Sequence, residues 1–186
     1  VDVEEAKKRG IVVTNIPSYS SDSVSQLVFA FILNFATHVQ EHNEEVHNGK
    51  WCNSRHFCYH SFPLQEIKGK NLGVAGLGDI GSKVAKIGEA FGMKVIFYNR
   101  SKKNLEGFKQ VDKETLLATS DFLSLCLPLN EDTLNFIDED SLKKVKKGVF
   151  IINTGRGQLV DENAITSALK NGKVAGYATD VLSKEP

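Results

Sequence analysis

The residues best suited to binding chemistry form the run Gly76-Leu77-Gly78-Asp79-Ile80-Gly81, a G-x-G-x-x-G pattern. Its first glycine permits a tight turn, its second lets backbone approach a pyrophosphate, and its third lets a helix pack closely on a strand. A helix that begins here also offers unpaired N–H groups to an anion. Alone, the pattern is equally a glycine-rich turn without a ligand. It predicts a dinucleotide site because a predicted strand precedes it and a predicted helix follows it.

A second group, Tyr98-Asn99-Arg100-Ser101-Lys102, follows the next predicted strand. Dinucleotide sites commonly place a carboxylate here, which binds the 2′-hydroxyl of NAD. Such a carboxylate would repel the 2′-phosphate of NADP by roughly 4 kcal/mol at about 4 Å near a protein surface. Asn99 removes that repulsion, while Arg100, Ser101 and Lys102 can contact a phosphate. The sequence therefore favours NADP(H) over NAD(H), with a solvated basic turn as the alternative.

Alternating strands and helices from residue 71 onward must position these groups. Apolar runs predict strands at 71–76, 94–98, 122–127, 149–154 and 174–181. Helical spacing and capping residues predict helices at 79–92, 112–120, 138–148 and 161–172. Near-continuous apolar strands that alternate with helices indicate a parallel sheet covered on both faces. We therefore predict an α/β fold whose core, residues 71–186, is a doubly wound parallel sheet of the Rossmann type.

Residues 1–70 follow another pattern. They predict a short helix that ends at Gly10, a strand over 11–14, a long helix over 24–47 and an extended connection over 49–70. The centre of the long helix, LVFAFILNFA, is apolar on all sides except Asn34. We expect this helix to be buried all round, within the chain or against a second copy. The candidates for a two-fold dimer interface are Phe29, Phe31, Ile32, Leu33 and Phe35.

The composition excludes several classes of partner. The chain has 186 residues, of which 41% are hydrophobic, enough for one globular domain or one domain with an appendage. Lys plus Arg and Asp plus Glu number 23 each, so net charge suggests neither a nucleic-acid nor a membrane partner. An odd count of three cysteines without a regular framework suits a reducing compartment, and we expect a cytoplasmic protein.

Two clusters contain residue types that can bind metals, but neither predicts a metal site. The run HVQEH (38–42) has two histidines at helical spacing without an evident third ligand. The run CNSRHFCYH (52–60) sets Cys52 and Cys58 six residues apart, whereas structural zinc sites use closer pairs. Cys126 is predicted to be a buried strand residue rather than a nucleophile.

Three longer runs together resemble the D-2-hydroxyacid dehydrogenase family: GLGDIGSKVAKIGEAFGMKVIFYNRS, KKGVFIINTGRGQLVDENAI and GYATDVLSKEP. The run VDVEEAKKRGIVVTNIPSYSSDSVSQLVFAFIL is similar to the hinge and first long helix of that family. The resemblance covers essentially the whole chain and is strongest to the glycerate dehydrogenase, or hydroxypyruvate reductase, branch. It implies hydride transfer between NAD(P)H and a small 2-keto or 2-hydroxy acid, hydroxypyruvate and glyoxylate being favoured. It also implies a hinge at 1–18 and a dinucleotide-binding domain at 19–186.

The resemblance assigns roles to residues that follow the predicted strands. Arg156, in NTGRG, matches the catalytic arginine, whose planar fork can hold the substrate carboxylate and polarise the ketone. Glu185 matches the glutamate that orients a catalytic histidine and raises its pKa. Asp180 matches the residue that contacts the nicotinamide amide. The other positions implied to line the cofactor are Leu127, Pro128, Thr154 and Gly155.

Three features depart from the family pattern. The catalytic histidine would lie beyond Glu185, and the substrate domain would come from sequence before Val1 and after Pro186, so we expect a cofactor-domain fragment. Asp79 stands where many members carry a basic residue near the pyrophosphate, which should weaken binding. A function of another class is nucleotide sensing, because the family also resembles corepressors that use NAD(H) as an assembly signal.

Overall fold

A computed structural model describes residues 1–185 and contains one six-stranded sheet. Its strands are β1 (Asn71–Ala75), β2 (Lys94–Tyr98), β3 (Lys109–Gln110), β4 (Phe122–Leu125), β5 (Val149–Asn153) and β6 (Val174–Thr179). All pairs are parallel, in the order β3-β2-β1-β4-β5-β6. The predicted doubly wound parallel sheet is therefore confirmed. Its strand order reverses between β1 and β4, where sheets of this kind bind ligands beyond the carboxyl ends of the strands.

Residues 1–185 form seven α-helices. They are α1 (Val3–Lys8), α2 (Ser21–Thr37), α3 (Val39–His47), α4 (Asp79–Ala90), α5 (Lys113–Thr119), α6 (Glu139–Lys144) and α7 (Glu162–Lys170). Asp112, Asp138 and Asp161 cap α5, α6 and α7, since each carboxylate accepts a backbone N–H of the first turn. Such caps fix where each helix begins, close to the boundaries predicted from the sequence.

Two apolar cores lie on opposite faces of the sheet. The first packs α5, α6 and α7 on the sheet and includes Leu116, Leu123, Leu142, Ile151 and Ile165. The second packs α2 and α4 on the other face and includes Phe29, Leu72, Val84, Phe97 and Phe122. Alternate residues of one strand face opposite cores, which is why the central strands are apolar at nearly every position.

The prediction of one long helix over 24–47 is wrong, because the chain breaks at His38 into α2 and α3. His38 adopts a left-handed conformation, with φ 51° and ψ 40°. The carbonyl of Ala36 accepts the N–H of Gln65 from the connection at 3.0 Å, so it is not paired with the N–H of Gln40 as a continuous helix requires. The N–H of Gln40 lies 3.5 Å from the Asn34 side chain instead. Docking of the connection thus ends α2.

Within this chain only one stripe of α2 is buried, formed by Ser25, Val28, Phe29, Ile32 and Ala36, whereas Ala30 is exposed. Phe29 and Ile32 are therefore not available to the dimer interface predicted for them. The strand predicted at 11–14 is also wrong. Residues 11–14 form no strand, and Val12 is 85% exposed. Strand formation depends on a neighbouring strand and a packed face, and within residues 1–185 this segment has neither. The two-residue strand β3 was too short to predict.

Candidate functional site

The glycine run forms a tight turn between β1 and α4, as predicted. Gly76 has a positive φ of 95°, and its N–H donates to the Tyr98 carbonyl at 2.8 Å. A Cβ at Gly81 would lie 2.0 Å from the Gly76 carbonyl oxygen, so only glycine allows α4 to start so close to β1. A Cβ at Gly78 would meet nothing within 4 Å. The turn is therefore closely packed between Gly76 and Gly81, whereas the space next to Gly78, where α4 begins, is open.

A cavity of about 250 Å³ lies beside this turn, between the segments that follow β2 and β4. It is lined by Tyr98, Asn99, Arg100, Ser101, Lys103, Leu127, Pro128, Asn130, Asp132, Thr133 and Phe136. The structure thus brings Asn99, Arg100 and Ser101 together with Leu127 and Pro128, which lie far apart in sequence. Its walls combine apolar side chains with a basic turn, a combination suited to the adenosine end of a dinucleotide.

The Asn99 side chain joins the glycine turn to the basic turn. Its Oδ1 accepts the N–H of Leu77 at 3.3 Å, and its Nδ2 donates to both the carbonyl and the hydroxyl of Ser101 at 3.0 Å. Lys103, which the sequence reasoning missed, donates from Nζ to the Leu77 carbonyl at 2.9 Å. The dipeptide Lys102-Lys103 could have pointed to it, but only the fold shows that Lys103 lines the cavity.

A second cavity, of about 310 Å³, separates the glycine turn from the segment Asn15–Ser21. The Ser18 hydroxyl donates to the carboxylate of Asp79, and Lys83 forms an ion pair with Asp22. These contacts fasten the start of α2 to the first turns of α4. Cys126 also lines this cavity, and burial raises the pKa of its thiol to about 11, so the thiol stays protonated at neutral pH.

The third part of the site is the loop after β5, which holds Arg156. Asn153 is fully buried beneath this loop, where its Nδ2 donates to the Arg156 carbonyl at 2.9 Å and its Oδ1 accepts the N–H of Gly155 at 3.1 Å. The guanidinium of Arg156 is exposed and donates to the Gly155 carbonyl at 2.7 Å. Sequence reasoning missed Asn153, although an amide at the end of an apolar strand is an unusual residue there.

Asp180 and Glu185 follow β6 and lie in the segment that packs on the Arg156 loop. A Cβ at Gly157 would lie 1.9 Å from the backbone carbon of Leu182, so the two segments touch closely. Gln158 Nε2 donates to the Ser183 carbonyl at 3.1 Å. The carboxylate of Glu185 accepts the N–H of Leu182 at 3.1 Å within its own turn. The fold thus places every predicted site residue on segments at the carboxyl edge of the sheet.

Two features of the carboxyl edge of the sheet suit it to binding a dinucleotide. The space above Gly78 is open where backbone N–H groups of α4 begin, as a pyrophosphate requires. The Thr154 hydroxyl is buried without a hydrogen-bond partner among residues 1–185, and buried hydroxyls are normally paired. A bound ligand at the Arg156 end would supply that partner.

Residues 29–186 match the family model described as "D-isomer specific 2-hydroxyacid dehydrogenase, NAD binding domain". The chain belongs to this family. Over its whole length it is 41% identical to a hydroxypyruvate reductase from Blautia hydrogenotrophica and 43% identical to a glyoxylate reductase from Thermococcus litoralis. It spans 59% and 58% of those two proteins, respectively. The resemblance noted in the sequence is confirmed.

Solved structures of similar proteins agree with the fold of this chain. The TT0316 protein of Thermus thermophilus superposes with a TM-score of 0.90 at 34% identity, over 100% of this chain and 58% of that one. An acyclic imino acid reductase in complex with NADPH and D-Arg gives 0.87 at 38%, over 99% and 58%. A D-lactate dehydrogenase from Aquifex aeolicus, complexed with NAD and lactic acid, gives 0.86 at 37%, over 99% and 55%.

The other candidate clusters lie away from this edge. His38 stacks on Phe62 and contacts Glu41, while Cys52 and Cys58 are exposed free thiols. Within residues 1–185 no three His, Cys, Asp or Glu side chains come together as a metal site would require. No helix in the same range has the length and hydrophobicity needed to cross a membrane.

Proposed function

We propose that the whole protein transfers a hydride reversibly between NADPH and a small 2-keto acid, hydroxypyruvate or glyoxylate being favoured. The proposal rests on one observation, which is that the glycine turn, the basic turn and Arg156 lie along a single edge of one sheet. Family membership supports it, as do relatives named hydroxypyruvate reductase and glyoxylate reductase.

Each segment has a distinct proposed role. The turn from Gly76 to Gly81 holds the pyrophosphate, the cavity beside Asn99 takes the adenosine, and Thr154, Gly155 and Asp180 face the nicotinamide. The cofactor, when bound, supplies the hydride. The Arg156 guanidinium grips the substrate carboxylate with two parallel hydrogen bonds and polarises the ketone. Glu185 orients a histidine that lies outside residues 1–186 and donates the proton.

This assignment divides the chain into two functional parts. Residues 1–18 form a hinge to a substrate domain, and residues 19–186 form the dinucleotide-binding domain, with 24–70 as its helical arm and 71–186 as its core. The contact of Ser18 with Asp79 supports this assignment, because it joins the end of the hinge to the helix that receives the pyrophosphate.

Turnover by the full-length protein tests the function directly. We expect NADPH oxidation in the presence of hydroxypyruvate or glyoxylate, followed by absorbance. Absence of turnover with either substrate and either cofactor, together with NAD(H)-dependent assembly in light scattering, would instead support the nucleotide-sensing alternative.

Cofactor preference is the first prediction. We expect NADPH to bind more tightly than NADH, because Asn99 lacks the charge that would repel a 2′-phosphate and Arg100 can contact it. In the double variant Asn99→Asp/Arg100→Ala the preference should reverse, as measured by fluorescence titration of both cofactors. Lys147→Ala, which removes a cation at the opposite edge, is the control and should leave the ratio unchanged. Wild-type binding of NADH about tenfold tighter than NADPH would refute the prediction.

Assembly is the second prediction. Apolar side chains of α2 outside its buried stripe, such as Leu27 and Phe31, remain partly exposed, which supports a two-fold dimer formed through α2 and α3. Light scattering should show a dimer at micromolar concentration. Ala30→Glu, at an exposed position of α2, should yield a monomer. Ala175→Glu, at an exposed position of β6, is the control and should leave the dimer intact. A clean wild-type monomer would contradict this interface.

A further inference from the structure

Arg100 and Asp132 face each other across the cavity beside the glycine turn. Arg100 Nη1 lies 2.7 Å from Asp132 Oδ2, and the two side chains are 78% and 67% exposed. Arg100 belongs to the turn after β2, and Asp132 belongs to the turn after β4, so the ion pair spans the two walls of the cavity. The cation placed to receive a 2′-phosphate is therefore already paired with an acid of this chain.

From this contact we propose that Asp132 is a positioning residue for cofactor choice, one that competes with the nucleotide 2′-phosphate for Arg100. The proposal rests on the NADP(H) preference proposed above. A guanidinium that turns to the phosphate loses its bond to Asp132, and one that binds both anions brings them close enough to repel each other. A nucleotide with a free 2′-hydroxyl leaves the pair intact. Asp132 thus weakens binding of 2′-phosphorylated nucleotides selectively.

Hydrogen bonds hold the backbone of both turns in place. The N–H of Asp132 donates to Asn130 Oδ1 at 3.0 Å, and the Thr133 hydroxyl donates to the Pro128 carbonyl at 2.7 Å. Thr133 is itself buried. On the opposite wall, Gln110 Nε2 donates to the Ser101 carbonyl at 3.1 Å. The two loops therefore keep the backbones of Arg100 and Asp132 close enough for their side chains to pair.

The test compares two probes that differ only by the 2′-phosphate, adenosine 2′,5′-bisphosphate and adenosine 5′-monophosphate. Calorimetry on the full-length protein should show that Asp132→Asn increases the affinity for the bisphosphate about fivefold, which is the scale of releasing one exposed ion pair. The affinity for the monophosphate should change less than about twofold. Glu131→Gln removes the same charge at the preceding position and should have little effect, because Glu131 makes no ion pair among residues 1–185.

An Arg100→Ala background decides whether Asp132 acts through Arg100. In that background, Asp132→Asn should tighten binding of the bisphosphate by less than about twofold, because the guanidinium for which the two anions compete is absent. If Asp132→Asn still tightens bisphosphate binding about fivefold in that background, the proposal is overturned, because Asp132 then repels the 2′-phosphate directly. No gain in the wild-type background, while Arg100→Ala still weakens the bisphosphate, would overturn it and leave the NADP(H) preference standing. If the wild type binds both probes equally and Arg100→Ala changes neither, the NADP(H) preference fails as well.

Discussion

Residues 1–186 alone should bind a nicotinamide nucleotide yet show no measurable reduction of hydroxypyruvate or glyoxylate. Reduction of a 2-keto acid needs a hydride donor, a grip on the substrate carboxylate and a proton donor. In the function proposed above, the glycine turn binds the hydride donor and Arg156 binds the carboxylate. General acid–base help is typically worth about 10²–10⁴ in rate. Substrate positioning contributes separately to the rate.

The path of α2 explains why we expect no proton donor among the histidines of residues 1–186. Ser21, the first residue of α2, lines one cavity with Asp79 at the carboxyl edge of the sheet. Phe35, near its end, stacks on Phe150 at the amino end of β5, with ring centroids 4.8 Å apart. The helix therefore runs away from Arg156. Three of the five histidines, His38, His42 and His47, lie at or beyond its end.

The other two histidines, His56 and His60, belong to the connection that packs back on α3. Phe62 of that connection stacks on His38 with centroids 5.2 Å apart, which places the segment at the end of α2 as well. All five histidines therefore lie at the end of α2, on α3 or on the connection, away from Arg156.

Two measurements on the same preparation test this prediction. Fluorescence titration should detect NADPH binding, and absorbance should detect no NADPH oxidation with either keto acid. A longer protein, with the flanking sequence that such relatives carry, should recover activity. An ordinary enzymatic rate from residues 1–186 would show that one of the five histidines, or another acid, already acts as the donor.

The core was predictable because its strands are buried on both faces. Val74 and Ile151, for example, lie in runs in which nearly every residue is apolar, and each run ends at a glycine or a polar residue. The aspartates before α5, α6 and α7 mark helix starts by local chemistry alone. Such signals need no knowledge of distant contacts, so they survive when only the sequence is read.

The failures arose where distant contacts decide the structure. The break at His38 depends on Gln65, which takes the Ala36 carbonyl from the helix. The β-branched run at 11–14 has strand propensity, but the described residues offer it no neighbouring strand. In the site, the glycine turn was recognisable from spacing, whereas Asp132 acquires its contact with Arg100 only when two separate loops converge.

Substitution of Arg156 by alanine should lower kcat/KM for hydroxypyruvate by roughly 10²–10³ in the full-length protein, the scale of losing a charged donor to the reacting carbonyl. Arg156→Lys should recover only part of that loss, because an ammonium keeps the charge but lacks the planar fork. NADPH affinity should change less than about threefold if the guanidinium serves the substrate rather than the cofactor.

The expected loss of kcat/KM in Arg156→Ala does not come from a loss of stability. The Arg156 side chain is exposed, and within residues 1–185 it donates only to the neighbouring Gly155 carbonyl, so its truncation should change the free energy of unfolding by less than about 0.5 kcal/mol. Arg55→Ala, in the exposed connection, is the matched control and should leave kcat/KM unchanged. Free guanidinium ion should restore part of the activity to Arg156→Ala but not to Arg156→Lys, whose side chain occupies the site. If Arg156→Ala keeps kcat/KM within about threefold of wild type, another residue binds the substrate carboxylate.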